Sequence, residues 1–206
     1  MTVRRGAVLS GGSSTRMGRT KAVIEVDGVP MAARVAAAMS AADAAPIVLV
    51  GGDRLELEPL GFDVIADRYP GHGPLGGVIT ALEHFPHPDD VVAVVGCDLP
   101  RLDGRVLEDL FGALEAVPTA DVAVARTDRR EPAIAVWRSG TRSALVANFE
   151  RGGRALQTAI GELSAVDVAV SAAAVVNVNR PEELEALSVE ATDADRSVTD
   201  GCAGGR

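Results

Sequence analysis

Apolar residues fall in short continuous runs along this chain, separated by segments rich in glycine, proline and charge. Gly6-Ala-Val-Leu9, Pro46-Ile-Val-Leu-Val50 and Val91-Val-Ala-Val-Val95 show no polar alternation. Runs of that kind predict strands covered on both faces. Phe62 to Ala66, Asp121 to Ala125 and Ala133 to Trp137 predict further strands, as do Ala165 to Val170 and Ala173 to Val176. Ala22 to Val26 is short and β-prone, and Asp27-Gly28 makes a turn.

Between these runs lie helical stretches. Pro30 suits a first helical turn, so a helix is expected over Met31 to Ala42. Others are expected to follow Gly77 up to Glu83, and over Arg105 to Glu115, Ser139 to Phe149, Arg154 to Ile160 and Glu182 to Leu187. Strands alternating with helices predict an α/β domain with a mostly parallel central sheet. Residues 1–187 form one domain in this reading. Residues 188–206 are polar, acidic and glycine-rich, and are expected to be a disordered tail.

The first strand runs into Leu9-Ser-Gly-Gly-Ser-Ser-Thr-Arg-Met-Gly-Arg-Thr-Lys21. A glycine- and hydroxyl-rich loop of this kind can turn successive N–H groups toward a phosphate chain. Arg16 and Lys21 would supply countercharge. Of the 20 lysine and arginine residues only Lys21 is lysine, and it stands in this loop. A compact ammonium suits a triphosphate as a point charge. The loop lacks the Gly-Lys-Ser/Thr ending of a Walker A sequence, which argues against a P-loop enzyme.

Composition narrows the classes. The formal net charge is −9 and no basic block occurs, which disfavours nucleic acid as a partner. No apolar run approaches the ~20 residues of a membrane span. The apolar stretch after Arg4-Arg5 is shorter than the ~7–15 residues of a signal h-region, so a cytoplasmic protein is expected. Cys97 and Cys202 do not suggest a disulfide framework. No Cys/His cluster has zinc spacing, and His84 and His87 flank a turn at Phe85-Pro86.

In open α/β sheets ligands bind beyond the carboxyl ends of the strands. The Leu9 loop, Asp67 to Gly77 and Cys97-Asp98 each follow a predicted strand, so they should meet at one rim. Asp98 is a candidate Mg²⁺ ligand, because magnesium is held by one or two carboxylates plus substrate phosphates. Gly71-His-Gly-Pro-Leu-Gly76 is either a loop whose backbone approaches a base or second substrate, or a plain turn into a helix. Asp67 is either a base contact or a turn residue. Asn177 and Asn179 lie on a loop where asparagine suits local turns. Asp128 to Pro132 reads as a solvated hairpin end.

These residues carry a resemblance. The stretch from Leu9 to Lys21 resembles the N-terminal signature of nucleotidyltransferases that activate cofactors and sugars. Gly11-Gly12, the segment Pro70 to Gly77, Cys97-Asp-Leu-Pro100 and Asn177-Val-Asn-Arg-Pro-Glu-Glu-Leu184 resemble the molybdenum cofactor guanylyltransferases. Related cytidylyltransferases tend to carry Ala-Gly at 11–12 and lack the Gly-Pro-Leu element at 73–75. The resemblance spans residues 5–187. Ser10 stands where the family usually has alanine, and Gly51 where some members have asparagine.

The resemblance implies a Rossmann-like three-layer sandwich. It implies transfer of GMP from GTP to the terminal phosphate of molybdenum-molybdopterin, with release of pyrophosphate. Leu9, Ser10, Gly11, Gly12, Lys21, Asp67 and Asp98 would bind the nucleotide. Arg16, Lys21 and Asp98 would be catalytic, with Mg²⁺ on Asp98. GTP and molybdopterin would be the substrates, and molybdenum-insertion or molybdoenzyme-maturation proteins the partners. Two other readings stand beside it. One is CTP-dependent transfer to molybdopterin or an isoprenoid precursor phosphate. The other is a non-catalytic guanine-nucleotide-binding module.

Overall fold

The computed structural model describes residues 2–11 and 20–178. The chain opens with β1 (Arg4–Leu9), then a 3₁₀ turn (Lys21–Val23) and the small hairpin β2 (Glu25–Val26) and β3 (Val29–Pro30). There follow α1 (Met31–Ala41), β4 (Ile47–Val50), α2 (Arg54–Leu57), β5 (Asp63–Ile65), α3 (Pro74–His84) and β6 (Val91–Gly96). The second half adds α4 (Gly104–Ala116), β7 (Val122–Arg126), β8 (Arg130–Arg138), α5 (Arg142–Glu150), α6 (Leu156–Gly161) and β9 (Ala165–Ala169).

The large sheet has seven strands in the order β5-β4-β1-β6-β8-β7-β9. Every pairing is parallel except those of β8, which runs against β6 and β7. The unbroken apolar runs follow from burial on both faces. In β6, Val91, Ala93 and Val95 pack with α1 and α4 residues such as Val35, Met39, Leu107 and Phe111. Val92 and Val94 join Leu75, Ile79, Leu145 and Ile160 from α3, α5 and α6 on the other face. The result is helices, sheet, helices: the α/β domain with a mostly parallel sheet expected from the alternation, in the three-layer form that the resemblance implies.

Several local expectations are corrected. Ala173 to Val176 is not a strand; Ala172–Val175 is a 3₁₀ turn, whose start is capped by the Ser171 hydroxyl accepting from Ala173 N. Three consecutive alanines carry little strand preference, and the serine cap decides the outcome. Ala22 to Val26 splits into the 3₁₀ turn and β2, and Ser139 to Thr141 is 3₁₀ before α5 begins. The turn α2 was missed. It is short, and its apolar positions show no period to read. The expected helix over Glu182 to Leu187 and the tail from residue 188 lie outside the described residues.

Register sets the functional rim. Leu9 is level with Val50 on one side and Gly96 on the other, and Val50 is level with Ile65. Four parallel strands therefore end together, and the loops that follow them open on the same side of the sheet.

Candidate active site

The loop after β1 is held against the end of β4. The amides of Ser10 and Gly11 both donate to the Val50 carbonyl at 3.0 Å. The Ser10 hydroxyl is buried within reach of the Val50 and Gly51 carbonyls, at 3.1 and 2.9 Å. Gly51 has φ of +72°, and a Cβ there would lie 3.1 Å from Gly11 Cα and 3.3 Å from Asp67 Cβ. Two loop backbones thus touch where only glycine fits. The signal was present in the sequence as a glycine after a strand, but the contact it serves could not be read there.

Gly12 and Arg16 lie outside the described residues. The chain is described again at Thr20, whose amide donates to Glu56 Oε2 on α2 at 3.1 Å. Lys21 follows and opens the 3₁₀ turn, with Ala22 fully buried beneath it. From there the Lys21 ammonium reaches the loop after β6, where its Nζ lies 4.0 Å from Asp98 Oδ2. The two side chains are 18% and 28% exposed.

Asp98 is placed by its neighbours. Cys97 N donates to the Leu9 carbonyl at 3.1 Å, which ties this loop to the end of β1. A Cβ at Gly96 would come 2.8 Å from Asp98 Oδ1, so the glycine leaves the room that this carboxylate occupies. The Asp98 carbonyl accepts from Val178 N at 2.9 Å, which brings the Asn177-Val178 segment to the same loop. Asn179 lies outside the described residues. Asp98 does not cap α4; Asp103 does, accepting from Arg105 N at 3.0 Å. Burial pushes the Cys97 thiol up to about 12, with the Asp98 carboxylate adding to the effect. Among the described residues no group of three or more His, Cys, Asp or Glu could hold a metal ion. A divalent ion here would take Asp98 from the protein and its other ligands from substrate phosphates and water, which is the ordinary mode for magnesium. The carboxylate fits that mode.

Asp67 closes the turn after β5. Its Oδ1 accepts from Tyr69 N at 2.9 Å and meets the Thr80 hydroxyl at 3.1 Å. The Gly71-to-Gly76 segment leads into α3. Gly71 and Gly73 both have φ of +79°, and a Cβ at Gly76 would strike Tyr69 Cβ at 2.7 Å. Two of these glycines are therefore required by backbone conformation and one by helix–loop packing. Of the expected solvated hairpin end, Asp128 and Arg129 lie in the exposed β7–β8 turn, whereas Arg130 to Pro132 already belong to β8 and are half-buried. Beside it Asp167 bridges Arg130 and Arg126, and the Arg130 hydrogen bond holds its carboxyl below the usual range.

The end of β1, a lysine and a carboxylate thus share one rim of a mostly parallel sheet. The sequence pattern of the MobA-like NTP transferase domain family matches residues 6–168. The chain belongs to this family. A probable molybdenum cofactor guanylyltransferase of Natronomonas pharaonis is 38% identical over 145 residues, covering 67% of this chain and 69% of that protein. The molybdenum cofactor guanylyltransferase of Shewanella sp. strain ANA-3 is 30% identical over 188 residues, covering 89% and 94%. In structure, the molybdopterin-guanine dinucleotide biosynthesis protein A of Archaeoglobus fulgidus superposes with a TM-score of 0.75 at 24% identity, covering 92% of this chain and 99% of that one. The 2-C-methyl-D-erythritol 4-phosphate cytidylyltransferase of Thermus thermophilus superposes with a TM-score of 0.67 at 16% identity, covering 93% and 100%. At those identities the superpositions show the shared nucleotidyltransferase fold. No helix among the described residues is long and apolar enough to cross a membrane.

Proposed function

We propose that this chain transfers GMP from GTP to the terminal phosphate of molybdenum-molybdopterin. An oxygen of that phosphate attacks the α-phosphorus, the bond from the α-phosphorus to the bridging oxygen breaks, and pyrophosphate leaves. The attacking phosphate is already ionised at neutral pH, so no general base is needed. Catalysis of this kind is positioning and charge stabilisation. The observation that carries the reading is the meeting of Lys21 and Asp98 at the rim where β1 and β6 end. The names of the relatives supply the choice of guanine and of pterin.

Lys21 would hold phosphate oxygens and offset the charge gathering on the departing pyrophosphate. Arg16 would act beside it. Asp98 would hold Mg²⁺, which, when bound, offsets negative charge on the phosphates. The pinned backbones of Gly11 and Gly51 would set the floor against which the nucleotide lies, with Leu9, Ser10, Gly12 and Asp67 around it. A nucleoside triphosphate substrate supports a cytoplasmic location. Proteins that insert molybdenum or mature molybdoenzymes would be its partners.

The test is pyrophosphate release by the purified protein with molybdenum-molybdopterin and either GTP or CTP. Release with GTP supports the proposal. Release with CTP alone assigns a cytidylyltransferase. Nucleotide binding without release assigns a non-catalytic module.

A further inference from the structure

We infer that Glu56 is a positioning residue for Lys21, acting through the Thr20 amide. The inference rests on the role proposed above for Lys21. Glu56 belongs to α2, a turn fixed from both ends. Asp53 caps its start by accepting from Leu55 N at 2.9 Å. Leu57 at its end is fully buried, and a Cβ on Gly52 would come 2.8 Å from Leu57 Cδ1. Glu56 is therefore presented from a rigid base and is itself only partly exposed.

Its Oε2 accepts from Thr20 N at 3.1 Å. The first N–H groups of a helical turn have no partner within the turn. Thr20 stands just before the turn, so its amide has no partner within the turn and finds its acceptor on α2. A carboxylate acceptor makes such a bond stronger than a neutral one would. The Thr20 carbonyl in turn accepts from Val23 N at 3.2 Å, and Ala22 is sealed in the core. The backbone at Lys21 is held by Glu56 on one side and by buried Ala22 on the other. A lysine stem is flexible, so where the ammonium lies depends on where its Cα is anchored. Moving that anchor takes Nζ away from its place 4.0 Å from Asp98.

The same short stretch of chain also fixes the entry to the loop. Val50 accepts the Ser10 and Gly11 amides, and Gly51 packs on Gly11. Residues 50–57 thus hold the chain on either side of the loop that bears Arg16, with Glu56 as the tether on the Lys21 side.

The experiment compares E56A and E56Q in the parent and in a K21A background. A small misplacement of a catalytic group costs heavily in rate, so E56A is expected to lower kcat/KM about tenfold or more. Glutamine keeps an acceptor oxygen, so E56Q should stay within about threefold of the parent. Residues acting through one group are non-additive, so E56A should cost less than about twofold once Lys21 is gone. Because Lys21 is the only lysine, a lysine-selective ¹⁵N label gives one signal. That signal should shift and broaden in E56A and keep its line shape in E56Q. Parental activity with an unchanged lysine signal in E56A overturns the inference, as does an equal loss in both backgrounds. Should K21A itself turn over normally, the catalytic reading of Lys21 fails, while the lysine signal still decides whether Glu56 holds its backbone.

Discussion

Lys21 Nζ and Asp98 Oδ2 stand 4.0 Å apart, one on the turn after the Gly-rich loop and the other on the loop after β6. This is longer than a tight charge-assisted hydrogen bond of ~2.7–2.9 Å. A partly exposed pair of this kind contributes about 0–1 kcal/mol to stability. Its expected role is therefore at the ligand. K21A and D98A should each lower turnover by at least ~10²-fold, the usual loss when one charge-stabilising group is removed. Their melting temperatures should stay close to the parent's. Steady-state rates beside thermal melts check this, and near-normal turnover in either variant removes that residue from the mechanism.

Gly51 should resist substitution for two separate reasons. A side chain at φ of +72° is strained, and its Cβ would press on the backbone of Gly11 at 3.1 Å. Strain of this type costs about 1–3 kcal/mol. G51A should lose stability on that scale and raise KM for the nucleotide, since it forces the two loops apart. Urea unfolding and nucleotide kinetics measure the two effects. G61A, where φ is +79° but nothing lies within 4 Å, should show strain alone.

Cys97 should be inert. Burial pushes its thiol up to about 12, so at pH 8 the reactive thiolate is about one part in ten thousand. In a C202S variant the native protein should not react with a thiol reagent, and denaturation should release one thiol. Fast labelling of the native variant would contradict the buried placement.

Asp167 links stability to pH. Its folded carboxyl is held below its ordinary value, chiefly by the Arg130 hydrogen bond. The stabilisation is thus present above the unfolded pKa, near the usual carboxylate value of ~3.9, and is lost as pH falls through the lower folded value. The site is partly exposed, so solvent screening limits the effect to about 1 kcal/mol or less. D167N should be less stable than the parent at pH 7, and the gap should close in strong acid. A gap that persists unchanged in acid would assign the loss to packing.

The layered fold was legible because burial on both faces leaves a direct mark. Val91 to Val95 is apolar throughout for that reason, and its ending at Gly96 pointed to Asp98. The shared rim was legible too, since strands running in parallel must release their loops on one side. Contacts made by backbone or by isolated turns were not. Glu56 lies in a turn too short to show a period, and the Thr20 amide it accepts from leaves no trace in residue type. Gly51 was visible as a glycine, but its need to clear Gly11 exists only once β1 and β4 are paired. The Ala173 to Val176 strand failed because a single serine cap outweighed a weak apolar pattern.

The most direct test is a crystal structure with a non-hydrolysable GTP analogue and Mg²⁺. The account predicts Lys21 Nζ on a phosphate oxygen at ~2.7–2.9 Å and an Asp98 oxygen on the metal at ~2.0–2.1 Å. A nucleotide seated with its phosphates beyond the reach of both side chains would contradict it.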